Sequence, residues 1–343
     1  WRSEVDEQSS GESDAFYLLW GLSVGATERF IEHGKSEFEQ YSASPSLHLF
    51  DGKPAFPYDY RGYAKLLEEN PLFCRLEIDS VACLDALLLN KTEWPQAMSQ
   101  FEAYQRGYHQ FLLLDDYRNL TQLQKYQWEP FYPVLELGQR LVLLEALTLW
   151  QEGRSDEASA MLVNDVRLLR QHLPEVQSAG YLQVLLIMLE ADLVLLEYVA
   201  KQSARPLPAF EPISLEEIPI ERIVRREIVD YSYELYPPVT LTLISSRVEQ
   251  SVAGRFSFEL RRMFGFRPRM TVNRFFAAAA SDASKALTFE YDAISATFNP
   301  LGEELLAELF NGRYGWQPVN YFALVERMNT YIGEWHLLVN GIE

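Results

Sequence analysis

The sequence predicts an all-α fold, in which antiparallel helical hairpins stack as an α-solenoid or pack as an irregular helical bundle. The clearest hairpin runs from Val134 to Leu173, where Gly153 and Arg154 separate two apolar patterns of helical period. The chain of 343 residues is 48% hydrophobic and 13% aromatic, which is ample for a packed core in one or two domains. We therefore expect roughly ten to thirteen helices.

The N-terminal half divides into helices at capping residues, prolines and glycines. Ser42 to Tyr60 contains several prolines and aromatic residues, so we expect an ordered irregular loop there. Thr92 is expected to cap a long helix, because Pro95 is tolerated in a first turn. The predicted helices run from Asp14 to Leu22, Ala26 to Tyr41, Gly62 to Glu69, Asp79 to Leu89 and Thr92 to about Asn119.

Small and large apolar residues recur at a fixed offset in two places. The positions are Ala97, Phe101 and Tyr104 in one copy, and Ala146, Leu149, Gly153, Ala158 and Leu162 in the other. These offsets resemble the tetratricopeptide repeat, over roughly a fifth of the chain. Glu145, Asp165 and Pro174 depart from the pattern of that repeat. The resemblance implies stacked helical hairpins.

The most apolar predicted helix runs from Gln177 to Gln202. Three acidic residues inside it argue against a membrane span. Its polar residues Gln183, Glu190, Glu197 and Lys201 share one narrow stripe, and the rest of its circumference is apolar. We therefore expect this helix at the centre of the fold.

Asp192 lies on the apolar side of that helix. An ionised carboxylate there is costly unless it has a basic partner, several hydrogen-bond donors or a raised pKa. We expect Asp192 to be buried with a partner, either as a structural contact that keeps the helices in register or as part of a ligand site.

The segment from Ala204 to Pro219 is rich in proline and acidic residues. It predicts an N-terminal helical-hairpin region over residues 1–203, a crossing loop over 204–220 and a C-terminal helical region over 221–343, or else one continuous domain. The C-terminal region concentrates arginine among phenylalanines, and its candidate binding residues are Arg261, Arg262, Arg267 and Arg269. These residues predict either a surface for an anionic ligand or partner, or internal docking onto acidic segments such as Glu211 to Glu221.

Cys74 and Cys83 are the only cysteines, and the turn-forming residues between them allow the chain to fold back. We expect a disulfide, the alternative being two buried thiols. The sequence begins at Trp1 in a polar segment, which fits processing after a signal peptide or a membrane anchor. We therefore expect an extracytoplasmic protein, periplasmic or secreted, the alternative being a cytosolic one.

Several chemistries find no support in the sequence. The formal net charge of −19 argues against nucleic-acid binding, which depends on neutralising phosphates. Gly21 to Gly25 matches the G-x-S-x-G pattern of hydrolases, but a helical pattern precedes it where a strand is needed. The five histidines lack metal-site spacing, no phosphate-binding loop is present, and no cofactor is expected.

Three functional classes remain. The first is a non-catalytic interaction or scaffold module of the cell envelope, whose stacked helices present a groove to a protein partner. The second is a carrier that holds an apolar or lipid-like ligand between its helices, because aromatic residues are abundant. The third, an enzyme without a recognisable motif, comes last.

Overall fold

The computed structural model describes residues 9–25, 28–43, 62, 65–66, 69–122, 129–203, 210–211, 213, 217–219, 222–223 and 226. Every regular element delimited in this part of the chain is helical, which confirms the predicted all-α class there. The helices are α1 (Asp14–Val24), α2 (Phe30–Ala43), α3 (Ser80–Leu89), α4 (Trp94–Gln100), α5 (Glu102–Leu112), α6 (Pro133–Gln151), α7 (Ser155–Gln171) and α8 (Ala179–Gln202). Short 3-10 turns occur at Pro71–Phe73, Lys91–Glu93 and Leu173–Glu175.

Polar side chains fix the starts of three helices. Ser13, Asp79 and Ser178 each accept a hydrogen bond from a backbone N–H in the first turn of α1, α3 and α8, respectively. These bonds satisfy donors that have no partner inside the helix. The predicted start of α3 at Asp79 is confirmed.

The long helix predicted from Thr92 to about Asn119 is wrong. Thr92 lies in a 3-10 turn, no side chain caps α4, and the chain leaves the helical conformation at Phe101 before α5 begins. The Phe101 ring packs edge-on against Phe73, with ring centroids 5.4 Å apart. Aromatic packing against a distant turn accompanies this interruption of the helix, and periodicity alone does not reveal such a contact.

The helices α1 and α2 pack with backbone against backbone. A Cβ atom added to Gly34 would lie 1.7 Å from the carbonyl oxygen of Tyr17, and one added to Gly21 would lie 2.3 Å from that of Phe30. Only glycine fits at these two positions. Phe38 of α2 packs edge-on against Phe16 and Trp20 of α1, with ring centroids 4.8 and 5.0 Å apart. The two helices therefore form one tight pair.

The helix α8 lies at the centre of the described core, as expected. Its N-terminal half contributes Tyr181, Leu185 and Leu189 to one hydrophobic cluster, which also includes most of α1. Its C-terminal half contributes Leu195 and Val199 to a second cluster, around the 3-10 turn Pro71–Phe73 and α3. The helix α6 also contributes to both clusters, and α7 packs against α6 and α8.

The polar stripe predicted on α8 is only partly exposed. Gln183 and Lys201 are exposed, but Glu190 is buried. In the part of the chain that the structure describes, no helix combines the length and the apolar character needed to cross a bilayer.

The described residues of the proline-rich crossing pack onto the N-terminal helices. Ile213 and Ile218 are buried in the first hydrophobic cluster. Arg170 of α7 forms a bidentate ion pair with Glu217, and both N–O distances are 2.8 Å. Glu217 belongs to the acidic segment that we considered as an internal docking site for the arginine cluster, and it is bonded to α7. The boundary at residues 204–220 stays a prediction.

Candidate functional site

The predicted disulfide between Cys74 and Cys83 is confirmed. The two sulfur atoms are 2.01 Å apart and the two Cα atoms are 5.6 Å apart. The bond closes the short turn that leads from the 3-10 turn Pro71–Phe73 into α3. It therefore fixes the direction in which α3 leaves the core.

Replacing both Cys74 and Cys83 with serine is expected to lower the free energy of unfolding by about 2–3 kcal/mol, because the open chain gains conformational freedom when unfolded. Urea unfolding followed by circular dichroism measures the loss, and treating the wild type with a reductant should reproduce it. Equal urea midpoints for the wild type and the double variant would contradict the expectation. Mass spectrometry without reductant should find no free thiol.

Within this turn, Glu77 forms a buried ion pair with Arg140 of α6. The distance between Glu77 Oε2 and Arg140 Nη2 is 3.0 Å, and these side chains are 1% and 4% exposed. Arg75 Nε lies 2.5 Å from the other oxygen of Glu77. Burial opposes the ionisation of Glu77. The charge of Arg140, a backbone hydrogen bond and the hydrogen bonds from Arg75 and Arg140 outweigh it and hold the pKa of this carboxyl below its ordinary value. Glu77 thus fastens the disulfide turn to the core.

Three large apolar side chains are exposed on and beside this turn. Ile78 is 70% exposed, Val81 is 70% exposed and Leu89 is 82% exposed. We call these three residues the apolar patch. Val81 and Leu89 are eight positions apart on α3 and lie about 80° apart around the helix, with the exposed Asp85 between them. The opposite side buries Cys83, Leu84 and Leu87 against the core.

A second candidate site lies inside the core, around Asp165 of α7 and Asp192 of α8, which we call the acid pair. Asp192 is fully buried, and its Oδ1 accepts a hydrogen bond of 2.7 Å from Gln139 Nε2 of α6. Asp165 is 3% exposed, and its Oδ2 accepts a hydrogen bond of 2.8 Å from the Tyr108 hydroxyl of α5. Four helices thus contribute one side chain each to this polar cluster.

Burial is the main influence on both carboxyls of the acid pair. It raises the pKa of Asp192 well above its ordinary value, and the neighbouring charge of Asp165 raises it further. Burial also raises the pKa of Asp165, although the Tyr108 hydroxyl opposes this. Asp192 Oδ2 and Gln139 Oε1 are buried without a hydrogen-bond partner. Such unsatisfied atoms are uncommon in protein cores and mark this cluster as unusual.

A third buried polar cluster differs from the acid pair because its bonds are complete. The hydroxyls of Tyr117 and Tyr132 are 2.9 Å apart, and Tyr132 also accepts from Ser178. Asn119 donates to Glu129 at 2.7 Å. Polar groups with partners of this kind stabilise a core without implying a binding role.

The serine of the G-x-S-x-G pattern is structural. Ser23 lies in the last turn of α1, where its hydroxyl donates to the Leu19 carbonyl at 2.8 Å and accepts from the Phe131 N–H at 3.0 Å. Both bonds position the backbone. Among the described residues, no group of three or more His, Cys, Asp and Glu side chains is placed to hold a metal ion.

The structure brings some of the predicted residues into a site and leaves others unplaced. Asp192 is buried with a partner, as expected, and its role in ligand binding stays a prediction. Arg261, Arg262, Arg267 and Arg269 lie outside the described residues. The sequence did not identify Gln139 and Asp165 as neighbours of Asp192, or Tyr108 as the partner of Asp165. The one available signal was Asp165, which departs from the repeat pattern at a position that the fold buries.

Comparisons with known proteins give no precedent for this chain. No protein-family model, no curated protein and no solved structure matches it. The proposals below therefore depend on its own side chains and their geometry.

Proposed function

We propose that this protein is an extracytoplasmic interaction module that binds a protein partner through the apolar patch. The exposure of Ile78, Val81 and Leu89 carries this proposal. Large apolar side chains exposed singly are common in soluble proteins, but several on one surface favour an interaction site. Here the three side chains share one short segment that is cross-linked and fastened to the core.

Rigidity of the patch supports a binding role. The disulfide fixes one end of α3, and Glu77 connects the same turn to buried Arg140. Side chains on a pre-organised surface lose less conformational entropy on binding than those on a mobile loop. The patch is therefore suited to act as an apolar anchor for a partner.

The charges around the patch indicate the chemistry of the partner. Asp79, Asp85 and Glu93 are exposed beside the apolar residues, and Lys91 is the exposed base among them. Arg75 is also at this surface, but it is bonded to Glu77. The chain as a whole carries a formal charge of −19. We therefore assign the patch to a protein segment whose apolar side chains are flanked by lysine or arginine, because opposite charges favour encounter.

The same disulfide supports the proposed compartment. Disulfides persist in oxidising environments and are rare in reducing ones. The Cys74–Cys83 bond therefore supports a periplasmic or secreted location, where a partner of the cell envelope is accessible.

Replacing Val81 and Leu89 together with glutamate is expected to weaken partner binding at least tenfold, about 1.4 kcal/mol, because apolar anchors dominate interface energetics. Leu113 provides a matched control, since it is 74% exposed and lies outside the patch. Tagged wild type, Val81→Glu/Leu89→Glu and Leu113→Glu proteins are used to capture partners from native envelope material, with quantitative mass spectrometry as the readout.

The proposal requires a protein that the wild type and Leu113→Glu recover equally, that the patch variant loses, and whose recovery falls with added salt. Equal recovery by all three proteins would overturn it. Native mass spectrometry that finds a bound lipid in both the wild type and the patch variant, without a patch-dependent protein, would favour the carrier instead. Circular dichroism checks that every variant is folded.

A further inference from the structure

The acid pair buries two carboxyls in the core. Asp165 and Asp192 are on neighbouring helices, they are 3% and 0% exposed, and their electrostatic interaction is direct. Within the described part of the chain, no Lys, Arg or His side chain forms an ion pair with either carboxyl. Two interacting negative charges buried in the core would be strongly unfavourable.

We propose that Asp165 and Asp192 hold one proton between them in the folded protein, and that the pair is a proton-binding lock between α7 and α8. The hydrogen-bond donors identify where the proton lies. Tyr108 donates to Asp165 and Gln139 donates to Asp192 Oδ1, whereas Asp192 Oδ2 has no donor. A proton on Asp192 Oδ2 converts that unsatisfied atom into a donor for the Asp165 carboxyl, with which Asp192 interacts through a side-chain hydrogen bond.

Other charged groups near the pair do not replace this proton. Arg140 of α6 acts on Asp192 from a distance, but its guanidinium is bonded to Glu77 at 3.0 Å. His109 of α5 acts on Asp165 in the same long-range manner. Among the described residues, the Tyr108 phenol that bonds to Asp165 is also buried, and burial is the main cause of its raised pKa, so it stays neutral.

The lock has a defined pH dependence. Burial raises the pKa of both carboxyls above the ordinary value of 3.8, so the unfolded chain loses these protons at a lower pH than the folded chain does. The unfolded state then binds fewer protons, and stability falls as the pH rises. In this window the folded state binds one proton more than the unfolded state. The folding equilibrium constant therefore falls about tenfold for each pH unit between the unfolded and folded pKa values.

The variant that isolates this proton is Asp192→Asn, because asparagine has nearly the same shape and its amide donates a hydrogen bond without needing a proton. Urea unfolding of the wild type and the variant is measured at several pH values from 5 upward. This range begins above the unfolded carboxyl pKa of about 4, where the unfolded chain has already lost the proton. The folding equilibrium constant of the wild type, divided by that of the variant, should fall about tenfold for each pH unit in this window. Asp165→Asn should weaken this pH dependence without abolishing it, because burial alone still raises the pKa of Asp192.

Asp156→Asn serves as the matched control, because Asp156 is an exposed aspartate at the start of the same helix as Asp165. Its unfolding curves should keep the wild-type pH dependence. Parallel pH profiles for the wild type, Asp192→Asn and Asp165→Asn would overturn the proposal.

A second measurement needs only the wild type and therefore does not depend on how the variants fold. Infrared spectroscopy at neutral pH should show the C=O band of a protonated carboxylic acid. Glu136 is also buried, and burial raises its pKa, so the band must be assigned to a residue type. Labelling the protein with ¹³C-aspartate shifts an aspartic acid band and leaves a glutamic acid band in place. A neutral-pH spectrum without a label-sensitive band would overturn the proposal.

Discussion

Replacing Gly34 with alanine is expected to lower the free energy of unfolding by about 3 kcal/mol or more. The added Cβ would lie 1.7 Å from the Tyr17 carbonyl oxygen and 2.6 Å from the backbone nitrogen of Gly21. Both are backbone atoms of α1, so no side-chain rotation relieves the clash. The helices α1 and α2 must separate, and the contacts of Phe38 with Phe16 and Trp20 are then lost.

Gly180→Ala is the matched control for this substitution. Gly180 also lies in a helix, but a Cβ there would be 3.6 Å from the nearest atom of the Tyr132 ring, which is an ordinary contact. Its free energy of unfolding should be unchanged or higher by up to about 1 kcal/mol, because alanine favours helix. Urea unfolding measures both variants. Similar midpoints for Gly34→Ala and Gly180→Ala would mean that α1 and α2 are farther apart than described.

Replacing Glu77 with alanine is expected to cost about 3 kcal/mol, because the substitution leaves the charge of Arg140 buried without its ion-pair partner. The value is at the lower end of the range for such pairs, since the carboxyl of Glu136 also interacts with Arg140. The loss of stability should be smaller when Arg140 is changed to methionine in the same chain, because the unpaired charge is then removed.

Glu157→Ala provides the comparison for an exposed ion pair. Glu157 is bonded to Arg154 at 2.7 Å, but both side chains are largely exposed. Solvent weakens such pairs, so the free energy of unfolding should hardly change. Urea unfolding at neutral pH measures the set. An equal loss for Glu77→Ala and Glu157→Ala would show that the Glu77 pair is not buried in solution.

Local features of the fold were predictable, because they depend on residues close together in the sequence. Gly153 interrupts an apolar pattern, and it ends α6 with a φ of 79° in the link to α7. Asp79 and Cys74–Cys83 act over a few residues and were also identified. The interruption at Phe101 and the close contact at Gly34 were not, because each depends on a partner that only the folded chain brings near.

The candidate sites show the same limit. Asp192 could be identified, since a carboxylate among apolar residues is unusual on any helix. Its neighbours Tyr108 and Gln139 are on separate helices, and nothing in the sequence pairs them with it. The apolar patch could not be located either. The helix α3 is apolar over most of its circumference, so the sequence does not determine whether Val81 or Leu84 faces solvent.

Gln139 and Arg140 are consecutive residues of α6, and this adjacency makes the two buried charge systems thermodynamically coupled. Gln139 bonds to Asp192, and Arg140 bonds to Glu77 while its charge also acts on Asp192. Energies of substitutions that share a partner are not additive. The stability contributed by the disulfide turn on the surface therefore depends in part on the protonation state of a carboxyl in the core.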